Sequence, residues 1–119
     1  MSKKVLVVDD EEIIRKLALE IVKMFGYECE TAEDGIKALE IVGEYKPDLI
    51  LLDFYMPSMS GEKVLDALYK DYPGIKVLMT TGKELDDDEA ERISQKGAHV
   101  INKPFAIADL KKKLDEYLS

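Results

Sequence analysis

A single cysteine, Cys29, stands among the 119 residues, so no disulfide can close within the chain. It falls in a stretch that reads as a strand and suits a small buried side chain. The single histidine, His99, also falls in a predicted strand and is read as structural rather than as a ligand or phosphoryl carrier. Bases are the minority charge: 17 lysines and arginines face 25 aspartates and glutamates, a formal net charge of −8. That balance argues against non-specific binding to nucleic acid or to an anionic membrane surface. It is compatible with a basic partner surface, a bound divalent cation, or solubility alone. No apolar run is long enough to span a bilayer, and no signal peptide is recognisable at the start, so the expected location is the cytoplasm. Repeats, low-complexity segments and linkers are absent, and the length suits one domain over residues 1–119.

What is present is organised around Leu49-Ile50-Leu51-Leu52-Asp53. An unbroken aliphatic run predicts a strand buried on both faces, as in a parallel sheet. It ends in a carboxylate, which is costly to bury without a compensating partner. Met56-Pro57 and Ser60-Gly61 then supply turn chemistry. Lys4 to Asp9 predicts a second buried strand ending in acid, followed by Asp10-Glu11-Glu12, then a helix with Ile14, Leu17, Ala18, Ile21 and Phe25 as its apolar stripe and Gly26 at its end. Tyr27 to Thr31 reads as a short strand. Thr31 and Asp34 resemble a loose capping box for a second helix facing inward through Ile36, Leu39 and Val42. Ser60 suits the N-cap of a third helix with Val64, Leu65 and Leu68 inside. Ile75 to Thr80 or Thr81 predicts a fourth strand. The acids 86–89 open a fourth helix with only Leu85, Ala90 and Ile93 to bury, the thinnest stripe of the set. His99 to Asn102 is the fifth strand, and Ile107, Leu110, Leu114 and Leu118 face inward from the last helix. The alternation predicts an α/β fold, a five-stranded parallel sheet with helices on both faces.

In such a sheet the carboxyl ends of the strands share one edge, where ligands bind. Asp9, Asp10, Asp53, Thr80, Thr81, Gly82 and Lys103 all fall there. Each has a plainer explanation alone: Asp10 could cap the first helix, and Lys103 could be a solvated surface lysine. Together they place three carboxylates side by side, which raises their pKa values unless a cation intervenes. A hard divalent ion such as Mg²⁺ suits carboxylates, waters and a phosphate. Lys103 and a threonine hydroxyl could hold an oxyanion on Asp53. These are the parts of a carboxylate nucleophile for phosphoryl transfer.

At these residues the chain resembles a response-regulator receiver domain of the single-domain, chemotaxis-regulator-like type. The marks are Val7-Val8-Asp9-Asp10, Leu51-Leu52-Asp53 with Met56-Pro57 and Gly61, Thr81-Gly82, and Lys103-Pro104-Phe105. The resemblance implies a flavodoxin-like doubly wound sheet in the order 2-1-3-4-5. It implies that Asp53 accepts the phosphoryl group, that Thr81 and Lys103 hold its oxygens, and that Asp9, Asp10, Asp53 and the Tyr55 backbone carbonyl bind Mg²⁺. It implies a cis Lys103-Pro104 bond. The implied donor is a phosphohistidine on a sensor histidine kinase or phosphotransfer protein. The implied output face is the fourth helix, fifth strand and fifth helix, meeting a downstream target protein. Neither nucleic acid nor membrane is expected as a direct partner, and no output domain is recognised in the sequence. The domain would catalyse only its own phosphorylation and dephosphorylation.

Two positions depart from the pattern. Val100 stands three residues before Lys103, where many members carry an aromatic residue that moves inward on phosphorylation. Tyr55 places a large side chain beside Asp53, where it could screen an acyl phosphate from water. Tyr55 also bears on an enzyme reading, the aspartate-nucleophile phosphatases. These usually carry a second acid two residues after the nucleophile, and Tyr55 occupies that place. A flavin site would need a glycine- and hydroxyl-rich loop after the first strand, where acids 9–12 would repel a phosphate. An interaction module with a dead site is the remaining alternative, and the complete Asp10, Asp53, Thr81 and Lys103 set speaks against it.

Overall fold

A computed structural model describes residues 2–103 and 106–118. The elements are β1 (Lys4–Val8), α1 (Glu12–Met24), β2 (Glu28–Ala32), α2 (Gly35–Tyr45), β3 (Leu49–Asp53), α3 (Gly61–Asp71), β4 (Lys76–Thr81), α4 (Asp87–Gln95), β5 (His99–Asn102) and α5 (Ile107–Leu118). The strands form one sheet in the order β2-β1-β3-β4-β5, and every pairing is parallel. The implied 2-1-3-4-5 topology is therefore the observed one. The Lys103-Pro104 bond lies outside the described residues.

The period-2 alternation of strand side chains divides the interior in two. Leu6, Val8, Ile50, Leu52, Val77 and Met79 face α2, α3 and α4 through Ala38, Val42, Leu65, Leu68 and Ile93. Val5, Val7, Leu49, Leu51 and Leu78 face α1 and α5 through Ala18, Ile21, Val22, Leu110 and Leu114. Every residue of β3 is buried, which accounts for its unbroken aliphatic run. Cys29 sits in the second core. Burial pushes its thiol pKa up to about 12 despite the nearby Lys23 charge.

The helix faces differ from the periodicity reading by single positions. Leu17 and Ile36 are exposed, and Val22 and Ala38 are buried in their stead. On α1 the buried set 18, 21 and 22 follows the i, i+3, i+4 rule, and Leu17 stands one step around the helix from it. Ile107, in the first turn of α5, is exposed as well. Strand β2 runs one residue later than predicted. The cap of α2 is Asp34, whose side chain accepts the Lys37 N–H, so Thr31 belongs to β2. Ser60 caps α3 as expected, accepting the Lys63 N–H.

Helix α4 buries only Ile93, in keeping with its thin stripe, and Ala90 is exposed. Polar ties supplement that contact. Asp86 and Glu89 form a reciprocal capping box. Glu62 of α3 accepts Arg92 Nε at 2.8 Å and Lys96 Nζ at 2.9 Å, and Lys96 also pairs with Asp66 at 2.7 Å.

Candidate functional site: a carboxylate cleft at the strand ends

Strands β1 and β3 end side by side, with Val8 paired to Leu52. The residues that follow them therefore project from one edge. Asp9 is buried there, with its N–H donated to the Ala32 carbonyl at 3.1 Å. Its Oδ1 accepts the Glu11 N–H at 2.9 Å and its Oδ2 accepts Lys103 Nζ at 2.9 Å. Asp10 is exposed and is not the cap of α1; Glu11 occupies the N-cap position without a side-chain bond. Asp53 closes β3, buried, with Thr80 as its partner across to β4. Its Oδ1 accepts the Tyr55 N–H at 3.4 Å.

Gly61 positions this loop. A Cβ there would collide with the Asp53 carbonyl oxygen and stand 2.8 Å from Phe54 Cα. Only a glycine lets α3 start so close to the end of β3. The Gly61 N–H donates to the Phe54 carbonyl at 2.9 Å and closes the turn.

Oxygens of Asp9, Asp10 and Asp53 all lie within 4.8 Å of one another. Lys103, at the end of the edge strand β5, is the buried cation among them. Its ammonium stands 2.9 Å from Asp9, 3.3 Å from Glu11 and 3.5 Å from Asp53. Its N–H donates to the Thr81 carbonyl at 2.7 Å, fixing the strand end that carries it. Burial opposes its charge, but the surrounding carboxylates outweigh burial and hold its pKa above the ordinary lysine value. One lysine does not neutralise three acids. Burial, then the Asp9 charge, push the Asp53 pKa up to about 7, against the opposing pull of Lys103. This donor set, all carboxylate and short of positive charge, fits a hard divalent cation. The cleft in front of Asp53 has a volume of about 300 Å³ and is lined by Asp10, Glu11, Tyr55, Gly82, Lys83 and Lys103.

Thr81 is buried at the end of β4, but its hydroxyl does not reach toward Asp53. It donates to the Lys83 carbonyl at 2.7 Å. His99 lies at the opposite end of β5 from Lys103, exposed, with its ring 6.0 Å from that of Tyr117. Residues missed from the sequence are Glu11, which shares Lys103, together with Lys83 and Glu89. Lys83 Nζ lies 4.2 Å from the Tyr55 ring centre, and Glu89 accepts the Tyr55 hydroxyl at 3.0 Å. The available signals were the position of Lys83 two residues beyond Thr81 and the spacing of Glu89 from Asp86.

A sequence model of the response regulator receiver domain matches residues 5–115. The chain belongs to this family. It is 35% identical over 121 residues to the polar-differentiation response regulator DivK of Brucella anthropi, covering 99% of this chain and 98% of DivK. Its fold superposes on the chemotaxis protein CheY4 of Vibrio cholerae with a TM-score of 0.92, at 33% identity, over 99% of this chain and all of that one. It also superposes on the response regulator TrrA of Thermotoga maritima, solved with Mg²⁺ and BeF, with a TM-score of 0.87 at 34% identity, over 98% and 99% of the two chains. Two transcriptional regulatory relatives are longer, and this receiver spans 45% and 52% of their lengths. No described helix is long and apolar enough to cross a membrane.

Proposed function

We propose that this receiver is a switch set by phosphorylation of Asp53. The observation that carries the reading is a buried carboxylate with a raised pKa, 3.5 Å from a buried ammonium, at the floor of an open cleft. Asp53 Oδ attacks the phosphorus of a phosphohistidine on a sensor kinase or phosphotransfer protein. An O–P bond forms, the N–P bond breaks, and its electron pair returns to the imidazole nitrogen. Lys103 already stands where it can neutralise the incoming oxygens, and Thr81 supplies a hydroxyl donor after a turn of its side chain. Asp9, Asp10, Asp53 and the Tyr55 carbonyl would hold Mg²⁺. When bound, the ion supplies counter-charge to the carboxylates and to the transferring phosphoryl group. Hydrolysis of the acyl phosphate returns the carboxylate and inorganic phosphate.

The chain is thus a signalling module, and its turnover is confined to its own aspartate. The output face is α4, β5 and α5; between α4 and β5 a groove of about 500 Å³ runs past Leu85, Ile93 and Val100 and would receive a downstream protein. The test is intact mass after incubation with acetyl phosphate and Mg²⁺. A phosphoryl adduct is expected on the wild type, and none on Asp53→Ala or without Mg²⁺. An adduct that persists in Asp53→Ala would overturn the assignment.

A further inference from the structure

Thr81 has one hydroxyl proton, and here it goes to the Lys83 carbonyl at 2.7 Å, while the Lys83 N–H approaches the same hydroxyl oxygen at 3.3 Å. The loop from β4 is thereby folded back on itself. The Lys83 ammonium then lies over the Tyr55 ring, 4.2 Å from its centre. The Tyr55 hydroxyl donates to Glu89 Oε1 at 3.0 Å. The same oxygen accepts the Asp86 N–H at 3.0 Å, and Asp86 returns the bond by accepting the Glu89 N–H at 2.8 Å. An unbroken series of contacts therefore leads from the strand end beside Asp53 to the first turn of α4. Val100, on β5 beside α4, is aliphatic and exposed and can make no such bond. With Ile93 its only buried residue, α4 depends on polar ties for its position.

We propose that Tyr55, through Glu89, is the residue that transmits the phosphorylation state of Asp53 to α4. The proposal rests on the reading of Asp53 as phosphoryl acceptor and of Thr81 as a donor to it. A charged phosphoryl oxygen outcompetes a neutral carbonyl for the one hydroxyl proton. When Thr81 turns to a phosphoryl oxygen, the Lys83 carbonyl loses its donor and the loop opens. Lys83 lines the same cleft as Asp53, so its ammonium moves toward the new dianion and off the Tyr55 ring. Tyr55 then leaves Glu89, and α4 loses its tie to the loop after β3 while keeping its own cap. A bond present only in the unphosphorylated form also opposes phosphorylation, by reciprocity.

Tyr55→Phe keeps the ring and the Lys83 contact and removes only the hydroxyl. Amide exchange over residues 87–92 is to be measured in the wild type, in this variant and in Glu89→Gln. Each is examined with and without acetyl phosphate and Mg²⁺, at matched phosphoryl occupancy read by intact mass. Unphosphorylated Tyr55→Phe is expected to exchange about fivefold faster than the wild type at these amides, the worth of one hydrogen bond. Phosphorylation should raise the wild type to the level of Tyr55→Phe and leave that variant nearly unchanged. Glu89→Gln, which retains the acceptor for Asp86, is expected to fall between them. An equal response of α4 in wild type and Tyr55→Phe, with the adduct present on both, overturns the coupling and leaves Asp53 as acceptor. Absence of the adduct from both overturns the acceptor reading, and the coupling with it.

Discussion

Replacing Asp53 by Asn should stabilise the metal-free protein, and by an amount that depends on pH. The Asp53 carboxyl has a folded-state pKa of about 7 against an ordinary value of 3.8, with burial as the leading cause and the Asp9 charge next. Because the folded value is the higher one, the neutral form favours folding. That contribution is complete below 3.8, declines as pH rises toward about 7, and is gone above it. A shift of this size corresponds to a penalty on the order of a few kcal/mol at pH 8, of which the smaller part is already present at pH 5. Asn carries no charge to desolvate and keeps nearly the same shape. The stability difference between Asp53→Asn and wild type should therefore widen by about 2–3 kcal/mol between pH 5 and pH 8. Urea unfolding in EDTA at the two pH values measures it, read as a change in midpoint at unchanged slope. Saturating Mg²⁺ supplies the counter-charge that the proton otherwise provides, and should narrow the gap at pH 8. Packing or hydrogen-bonding differences between Asp and Asn are independent of pH. A gap of equal size at pH 5 and pH 8 would refute the electrostatic account of the cleft.

Two further substitutions test how the site is held. Gly61→Ala places a methyl group against the Asp53 carbonyl; a loss of about 2 kcal/mol in urea unfolding is expected, together with a reduced acyl-phosphate yield by mass, and a fully stable variant would refute the close-approach argument. Glu62 is held down to about 2, chiefly by its Arg92 hydrogen bond, with burial opposing and Lys96 assisting. Its contribution is therefore present above the ordinary value of 4.5 and lost as pH falls through about 2. With Arg92 about half exposed, Glu62→Gln should cost only about 1 kcal/mol at pH 7. That loss should shrink in molar salt, and a salt-independent loss would point to packing instead.

The strand order and the convergence of Asp9, Asp10, Asp53 and Lys103 were legible because they depend only on which residues end a buried strand. An aliphatic run followed by an acid announces both the strand and its edge. Helix faces were less legible. Leu17 and Ile36 are as apolar as the residues that replace them inside, and a few tens of degrees of helix rotation decides between them. The direction of the Thr81 hydroxyl was not legible at all, since it is set by how the 81–83 loop closes. Nor were the partners of Tyr55, because residues 55, 83 and 89 meet only through tertiary geometry. The pairing of Lys103 with Asp9 more closely than with Asp53 is a matter of tenths of an ångström and has no sequence signature.

The two-sided burial of β3 has a consequence for alignment during folding. In a sheet with one wet face, sliding a strand by one residue exposes its apolar side, and water corrects the error. Leu49, Ile50, Leu51 and Leu52 offer no such correction, for either parity is greasy. What forbids the slip is the residue at the end. Moved back one place, Asp53 would take the slot of Leu52, between Val8 and Met79 in the buried sheet, at a cost of several kcal/mol. The side chain proposed to receive the phosphoryl group is thus also the stop that tells the central strand where to halt.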